Sequence, residues 1–267
     1  MEKLSLLLFS NSEFLILLCF TFVILIIGYF LYQLYYFKSE KHHSILSLVL
    51  MMLIYTVISF WKLGSTSFPT TTWQPTAEKQ QITFDFGKSE KFDAIYTIYG
   101  EGDTNSNPST YQIGTNNIHL YASNDLQEWT RIASLKQGNI YTYAIEQGNW
   151  QYRYIKLVDL SENSSLSEIG FRNENHTGFL PISILRDKQK DGPYPGSLLI
   201  DEQDKLVLSP TYYDQAYFDE IYHVRNAWEI ANGQYMYANV HPLLGTNIIA
   251  LSIRLFGMNP FAWRLTG

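Results

Sequence analysis

Two adjacent carboxylates, Asp219 and Glu220, stand among aromatics near the end of the chain, in the stretch YFDEIYHVR. His223 and Arg225 follow closely, and His241 and Arg264 come later in the same segment. A positioned carboxylate can take a proton from a hydroxyl. Two neighbouring carboxylates repel each other, which drives one pKa up toward working pH. A guanidinium grips phosphate with two parallel hydrogen bonds, which singles out Arg264 and Arg225. Other readings of the same residues stay open. On a helix, positions 219 and 223 share a face, as do 220 and 223, a spacing that also suits a metal. That group holds a single histidine, and its two acids point apart. An acidic pair at a helix N-terminus is also favoured by the helix dipole without any chemistry. His241-Pro242 reads equally as an extended residue before a proline that opens a helix. The tyrosines and tryptophan nearby (Tyr222, Trp228, Tyr235, Tyr237) suit either sugar stacking or a membrane interface.

The segment from Tyr217 to Gly267 resembles the start of the protein O-mannosyltransferase family and its bacterial relatives (glycosyltransferase family 39 type). Phe218-Asp219-Glu220 matches the family's signature in its first external loop. His241-Pro242-Leu243-Leu244-Gly245-Thr246 matches His-Pro-Pro-x-Gly-Lys at the next transmembrane helix, and Phe256-Gly257-Met258-Asn259-Pro260-Phe261-Ala262-Trp263-Arg264-Leu265 matches the run that closes it. The match covers about a fifth of the chain and departs at Leu243, where the family has a second proline, and at Thr246, where it has lysine. The resemblance implies transfer of a sugar, mannose in the family, from a polyprenyl-phosphate donor to a hydroxyl acceptor on the outer membrane face. It implies Asp219 as base and Glu220 as its catalytic neighbour. His223, Arg225, His241 and Arg264 would bind substrate. No metal site is implied, and a divalent metal stays an open question. Thr246 cannot supply the charge that the family's lysine brings to the lipid phosphate.

The elements that would position these residues divide the chain. It has 267 residues, 46% hydrophobic and 16% aromatic, with a net charge of −6. Its mean hydropathy of −0.11 averages apolar ends with a polar middle. The acidic balance argues against nucleic acid, which needs a basic footprint. A single cysteine, Cys19, excludes an intramolecular disulfide and a cysteine-based zinc site. Residues 14–37 carry no charge and exceed the roughly 20 residues needed to span a bilayer. A cleaved signal peptide would have a shorter apolar core followed by small residues, whereas this run ends in Tyr35, Tyr36 and Phe37. A second apolar run follows at 44–62. Lys38 and Lys41 between the runs place that loop inside by the positive-inside rule. The expectation is a transmembrane hairpin over residues 1–63, with the rest of the chain on the outer face of a multi-pass membrane protein.

Residues 64–76 read as a Ser/Thr/Pro linker. Residues 77–175 then show short runs of period-two alternation, such as Ile82, Phe84 and Phe86, or Ile118, Leu120 and Ala122, which predict an all-β sandwich. The runs DFGKSEKFDAIYTIYG, LYASNDLQEWTRIASL, YRYIKLVDL and LSEIGF resemble, in that order, the discoidin-like (coagulation factor 5/8 type C) jelly roll over about Thr72 to Asn173. That resemblance implies a possible glycan partner at loops of one end, with Asp103 to Thr110 and Gln137 to Tyr143 as candidates; a structural spacer is the alternative. Gly87-Lys88-Ser89 is not a phosphate-binding loop, because the required upstream glycine is Ile82. Residues 176–216 read as an irregular return segment, in which Asp201-Glu202 belongs to a solvated face.

The expected fold class is therefore membrane α plus all-β: an N-terminal hairpin, an extracytoplasmic jelly-roll sandwich, and over residues 217–267 a catalytic loop with the start of a further transmembrane helix. The family continues with many more helices, so a fragment, or one half of a split enzyme whose second chain supplies the missing helices, is expected. The competing reading is a membrane-anchored carbohydrate-binding module, or an inactive truncated fragment.

Overall fold

The structure is a computed structural model. It describes residues 42–266 except 101–111, 114–117, 136–137, 161–163 and 237–240, together with scattered helical positions between 24 and 35. Its centre is an antiparallel β-sandwich. The strands are β1 (Gln80–Tyr99), β2 (Gln112–Ile113), β3 (Ile118–Ser123), β4 (Thr130–Ser134), β5 (Gly138–Asn139), β6 (Tyr143–Asp159), β7 (Leu166–Arg172) and β8 (Ser183–Asp187). The main sheet runs β4-β3-β6-β1-β7, β8 also pairs with β1, and β2 and β5 form a separate small ribbon.

Two long strands make this closure possible. The first part of β1, Gln80–Asp85, pairs with Tyr154–Asp159 of β6 and, from Ile82, with β8. Its later part pairs with the start of β6 and with β7. The register slips between Asp85 and Glu90, so both strands bend there and the sheet folds over itself. Gly87 supplies the turn with φ +80°, donating its N–H to Asp85 Oδ1 at 2.7 Å. On β6 the indole of Trp150 lies over Gly148, where an added Cβ would come within 2.1 Å of the ring.

The period-two alternation explains the core. Ile82, Phe84, Ile118, Leu120, Ile155 and Leu157 point inward and are essentially inaccessible, while Thr83, Tyr121 and Lys156 alternate to the other face. From the far side of the fold Phe171 meets Phe86 edge-on at 5.2 Å and Phe92 at 5.5 Å. Trp73 adds a short bridge to Leu166 and is fully buried.

A helical cap closes one end. It comprises α2 (Glu220–Ala231), α3 (Leu243–Phe256) and α4 (Pro260–Arg264). Asn259 caps α4 by accepting the Ala262 N–H, with Pro260 at the first helical position, where its missing N–H costs nothing. The Arg254 guanidinium donates to the Ala231 and Ile230 carbonyls that end α2. Phe68, Tyr141 and Trp263 pack together, joining cap and sandwich into one core. Gly64 passes so close to Pro260 that a Cβ there would lie 2.5 Å from its carbonyl carbon.

The helical parts of the expected fold class are corrected. The first expected span, residues 14–37, lies outside the described residues apart from isolated helical positions. The second falls on α1 (His42–Phe60), whose side chains are described from Leu48 onward. The helix has 19 residues and is about 28 Å long, just short of the ~30 Å hydrocarbon core. The expected start of a further transmembrane helix is α3, of 14 residues, about 21 Å long and also too short. Among the described residues no helix is long and apolar enough to cross a membrane. The expected hairpin and the multi-pass membrane location are withdrawn on that finding. What is observed is a β-sandwich with few helices.

Candidate functional site

A groove of about 490 Å³ opens where β7 meets the irregular segments that follow it. One wall is residues 177–182, with Phe179 bridged to Arg172 and the Leu180 N–H bonded to the Phe171 carbonyl. The other is Gln203, Asp204, Leu206 and Leu208, around the short 3-10 turn Gln203–Lys205. Gly170 on β7 forms the meeting point. A Cβ there would lie 2.6 Å from Leu206 and 2.8 Å from the Phe179 ring, so only glycine lets both press onto the strand. Phe179 is half-buried and stands edge-on to Tyr96, with centroids 5.0 Å apart. Tyr96 in turn donates to the Leu208 carbonyl at 2.8 Å and accepts from Arg172 at 3.3 Å. The aromatic floor is thus held by hydrogen bonds behind it, while Asp204 and Thr177 stand exposed at the rim.

A buried acid fixes the polar wall. Glu168 on β7 is fully buried, and its carboxylate accepts from the Glu202 N–H at 3.1 Å and from the Gln203 side-chain amide. The same Gln203 nitrogen donates to the Ile169 carbonyl. With both amide hydrogens engaged behind it, Gln203 is held in one orientation. Burial pushes the Glu168 pKa up to about 8, and the nearby Asp201 and Glu202 charges push the same way against those two hydrogen bonds. Glu168 is therefore largely a neutral acid at pH 7.

Glu168, Asp201 and Glu202 bring one oxygen each within 4.8 Å of one another, which raises the question of a cation. The donor set bears on it. Glu202 accepts the Thr70 and Thr71 N–H groups and the Lys205 ammonium, and Asp201 accepts the Thr71 hydroxyl at 2.9 Å. Burial raises the Glu202 pKa, but Lys205 and these amides outweigh it and hold the carboxyl below its ordinary value. Lys205 and the Thr70 and Thr71 amides therefore already balance part of the charge of this acidic cluster. The expectation that Asp201-Glu202 lies on a solvated face holds for Asp201 alone, since Glu202 is buried.

The residues singled out from sequence fall in the helical cap, where they divide into pairs. Glu220 forms a two-pronged ion pair with Arg264, both contacts at 2.7 Å, and also accepts the Tyr217 N–H. Arg264 further donates to the Leu63 and Gln215 carbonyls, so its guanidinium ties the cap to the chain before the sandwich. Arg225 is fully buried against Glu229 at 2.9 Å, one turn along α2. Both arginines are thus paired with carboxylates of the cap. His223 and His241 come together, ring centroids 4.6 Å apart at 43°. Asp219 stands exposed at the start of α2 and makes no side-chain capping bond. Of the expected glycan loops, Asp103 to Thr110 lies outside the described residues. The second runs into β5 and the turn that follows, where Ile140 and Tyr141 are buried in the core.

Phe179, Gln203, Asp204 and Glu168 were not legible as a site from the chain alone. The one local signal is Glu168 inside LSEIGF, an acid in a strand that is otherwise apolar or small.

No family model matches the chain, and no curated protein matches it. Among solved structures it is similar to CpGH89CBM32-6 of Clostridium perfringens, at 21% identity and a TM-score of 0.32 over 42% of this chain and 82% of that one. It is also similar to CpGH89CBM32-5 of the same organism, solved with GalNAc-β-1,3-galactose, at 17% identity and 0.30 over 39% and 77%. A pectin-binding carbohydrate-binding module matches at 15% identity and 0.30 over 43% and 80%. Likeness at this level carries no argument about what the chain binds. The expected membership in the mannosyltransferase family, and with it the expectation of a membrane mannosyltransferase, is corrected. No family model and no curated protein supports it.

Proposed function

We propose that this chain is a carbohydrate-binding module whose ligand site is the groove between residues 177–182 and 203–208. The observation that carries the reading is the pairing of a braced, half-buried Phe179 ring with exposed Asp204 and Thr177 and a fixed Gln203 around one open groove. A pyranose has an apolar face of C–H groups and a rim of hydroxyls. An aromatic ring takes the first by stacking and dispersion. Carboxylate, amide and hydroxyl side chains take the second by directional hydrogen bonds. Because Glu168 fixes Gln203 from behind, little ordering remains to be done on binding, which favours affinity.

The test is a glycan array probed with the full chain, followed by calorimetry on the hits. Phe179→Ala and Asp204→Ala are each expected to weaken binding by tenfold or more while the protein stays folded. An array without hits, or a Phe179→Ala protein that binds as tightly as the parent, would sink the reading.

A further inference from the structure

The outward face of the sheet on the far strands carries a second arrangement. Strand register places Arg186 (β8) opposite Thr83 (β1), Thr83 opposite Lys156 (β6), Lys156 opposite Tyr121 (β3), and Tyr121 opposite Arg131 (β4). Directly opposed residues share a face, so these five form one row across five strands. The residues alternating with them, Ile82, Ile155, Leu157, Leu120 and Ala122, are buried in the core, which sets the row on the opposite face; Thr83 is itself covered, so the reachable members are Arg186, Lys156, Tyr121 and Arg131. Three of the five are cations and none is an acid, in a chain whose net charge is −6.

The central cation is held in an unusual setting. The Lys156 ammonium lies 4.0 Å from the centroid of the Trp129 ring and 5.6 Å from that of Tyr121. Partial burial lowers its pKa, and no neighbouring charge enters the shift. Among the described residues, neither Lys156, Arg131 nor Arg186 has a carboxylate partner. The one acid in the next row, Asp85, is engaged by Arg153 at 2.9 Å and 3.2 Å. Trp129 is fixed in turn: its indole N–H donates to the Leu126 carbonyl, and Asp125 Oδ1 accepts the Gln127 and Glu128 N–H groups, locking the loop before it. Cation–π contact orients an ammonium but leaves its charge uncompensated, so an incoming anion gains the full interaction.

We infer that this face is a second binding surface, for an acidic glycan whose carboxylates meet Arg131, Lys156 and Arg186 in turn. Adjacent strands lie about 4.8 Å apart, so successive cations, two strands from each other, are spaced about 10 Å along the row. An extended polymer carrying regularly spaced uronates can place its carboxylates along such a row, with sugar rings between them over the Tyr121 and Trp129 side chains. The anionic character rests on the row itself; the choice of a glycan as carrier rests on the proposed function.

The experiment is calorimetry of the full chain with polygalacturonate, its fully methyl-esterified form and poly-glutamate, each at low and high salt. The expected result is binding of polygalacturonate at least tenfold tighter than of the ester, weakened by salt. It is lost in the triple variant Arg131→Gln, Lys156→Met, Arg186→Gln and retained in Phe179→Ala. Lys156→Arg should keep most of it, which guards against a variant that merely misfolds. Equal binding of the ester, binding that survives the triple variant, or equal affinity for poly-glutamate would overturn the inference. Loss of neutral-glycan binding in Phe179→Ala, with uronate binding unchanged, separates the groove from the row. Each claim can therefore fail without the other.

Discussion

The helical cap and the β-sandwich treat their ionisable groups in opposite ways. In the cap, the acids and bases that looked chemical are joined to each other: Glu220 to Arg264, Arg225 to Glu229. In the sandwich, Glu168 is buried without a cation of its own and held by two neutral donors, with a pKa pushed up to about 8. On the outer face Lys156 is half-buried with only aromatic partners. Paired charges brace a structure, whereas groups held away from their preferred state mark places where a ligand or a proton can change something. The contrast teaches that a dense run of charged residues in sequence says little until it is known which of them satisfy one another.

Breaking the cap's buried pair should give the largest effect. Arg225→Ala removes the ion-pair partner of the fully buried Glu229, and a loss of about 3–5 kcal/mol is expected. A denaturant titration that found less than 1 kcal/mol would contradict a structural role for this pair. The sandwich's buried acid comes next and has a pH signature. The Glu168 pKa is raised in the fold from 4.5 to about 8. Its stabilising contribution is therefore full below about pH 4.5 and is lost as pH rises through 8, at up to about 1.4 kcal/mol per pH unit. Glu202 has the opposite sign, its contribution being lost as pH falls. Glu168→Gln keeps the shape and removes the titration. Urea midpoints between pH 5 and 9 should slope downward in the parent and flatten in the variant; parallel slopes would show that Glu168 does not titrate in this range.

Arg264→Gln sharpens the comparison at smaller scale. The Arg264–Glu220 pair is only partly exposed and also carries two backbone acceptors, so a loss of about 1–2 kcal/mol is expected. The melting temperature should fall, with any glycan binding at the groove unaffected. Smallest of all is Asp219→Asn. Its exposed carboxylate makes no capping bond, and a change within about 0.5 kcal/mol is expected. A much larger destabilisation would mean that Asp219 has a structural partner in the fold.

The two readings of sequence fared differently for physical reasons. Alternation along β1, β3 and β6 is a local property, because successive side chains in a strand must point to opposite faces. Ile82, Phe84, Ile118, Leu120, Ile155 and Leu157 could therefore be placed in a core from their order alone. The motif-based reading of Tyr217 to Gly267 rested on residue types in order, without knowledge of what each would touch. Arg264 and Glu220 are 44 positions apart, a separation at which nothing local signals an ion pair. The apolar runs were read as membrane spans from length and composition, but α3 has only 14 residues and no described helix is long and apolar enough to cross a membrane.

What the sequence by itself determined is the alternation of side chains that builds a sandwich and the turn-rich stretches that separate its strands. These follow from backbone sterics and from neighbours within a few residues. Only the tertiary structure decided that Glu168 is buried beneath the Gln203 turn, that Phe179 and Leu206 meet over Gly170, and that Arg186, Lys156 and Arg131 stand in one row. Each depends on which strands pair and in what register, and register is set by the packing of the whole core, which no short stretch of the chain contains.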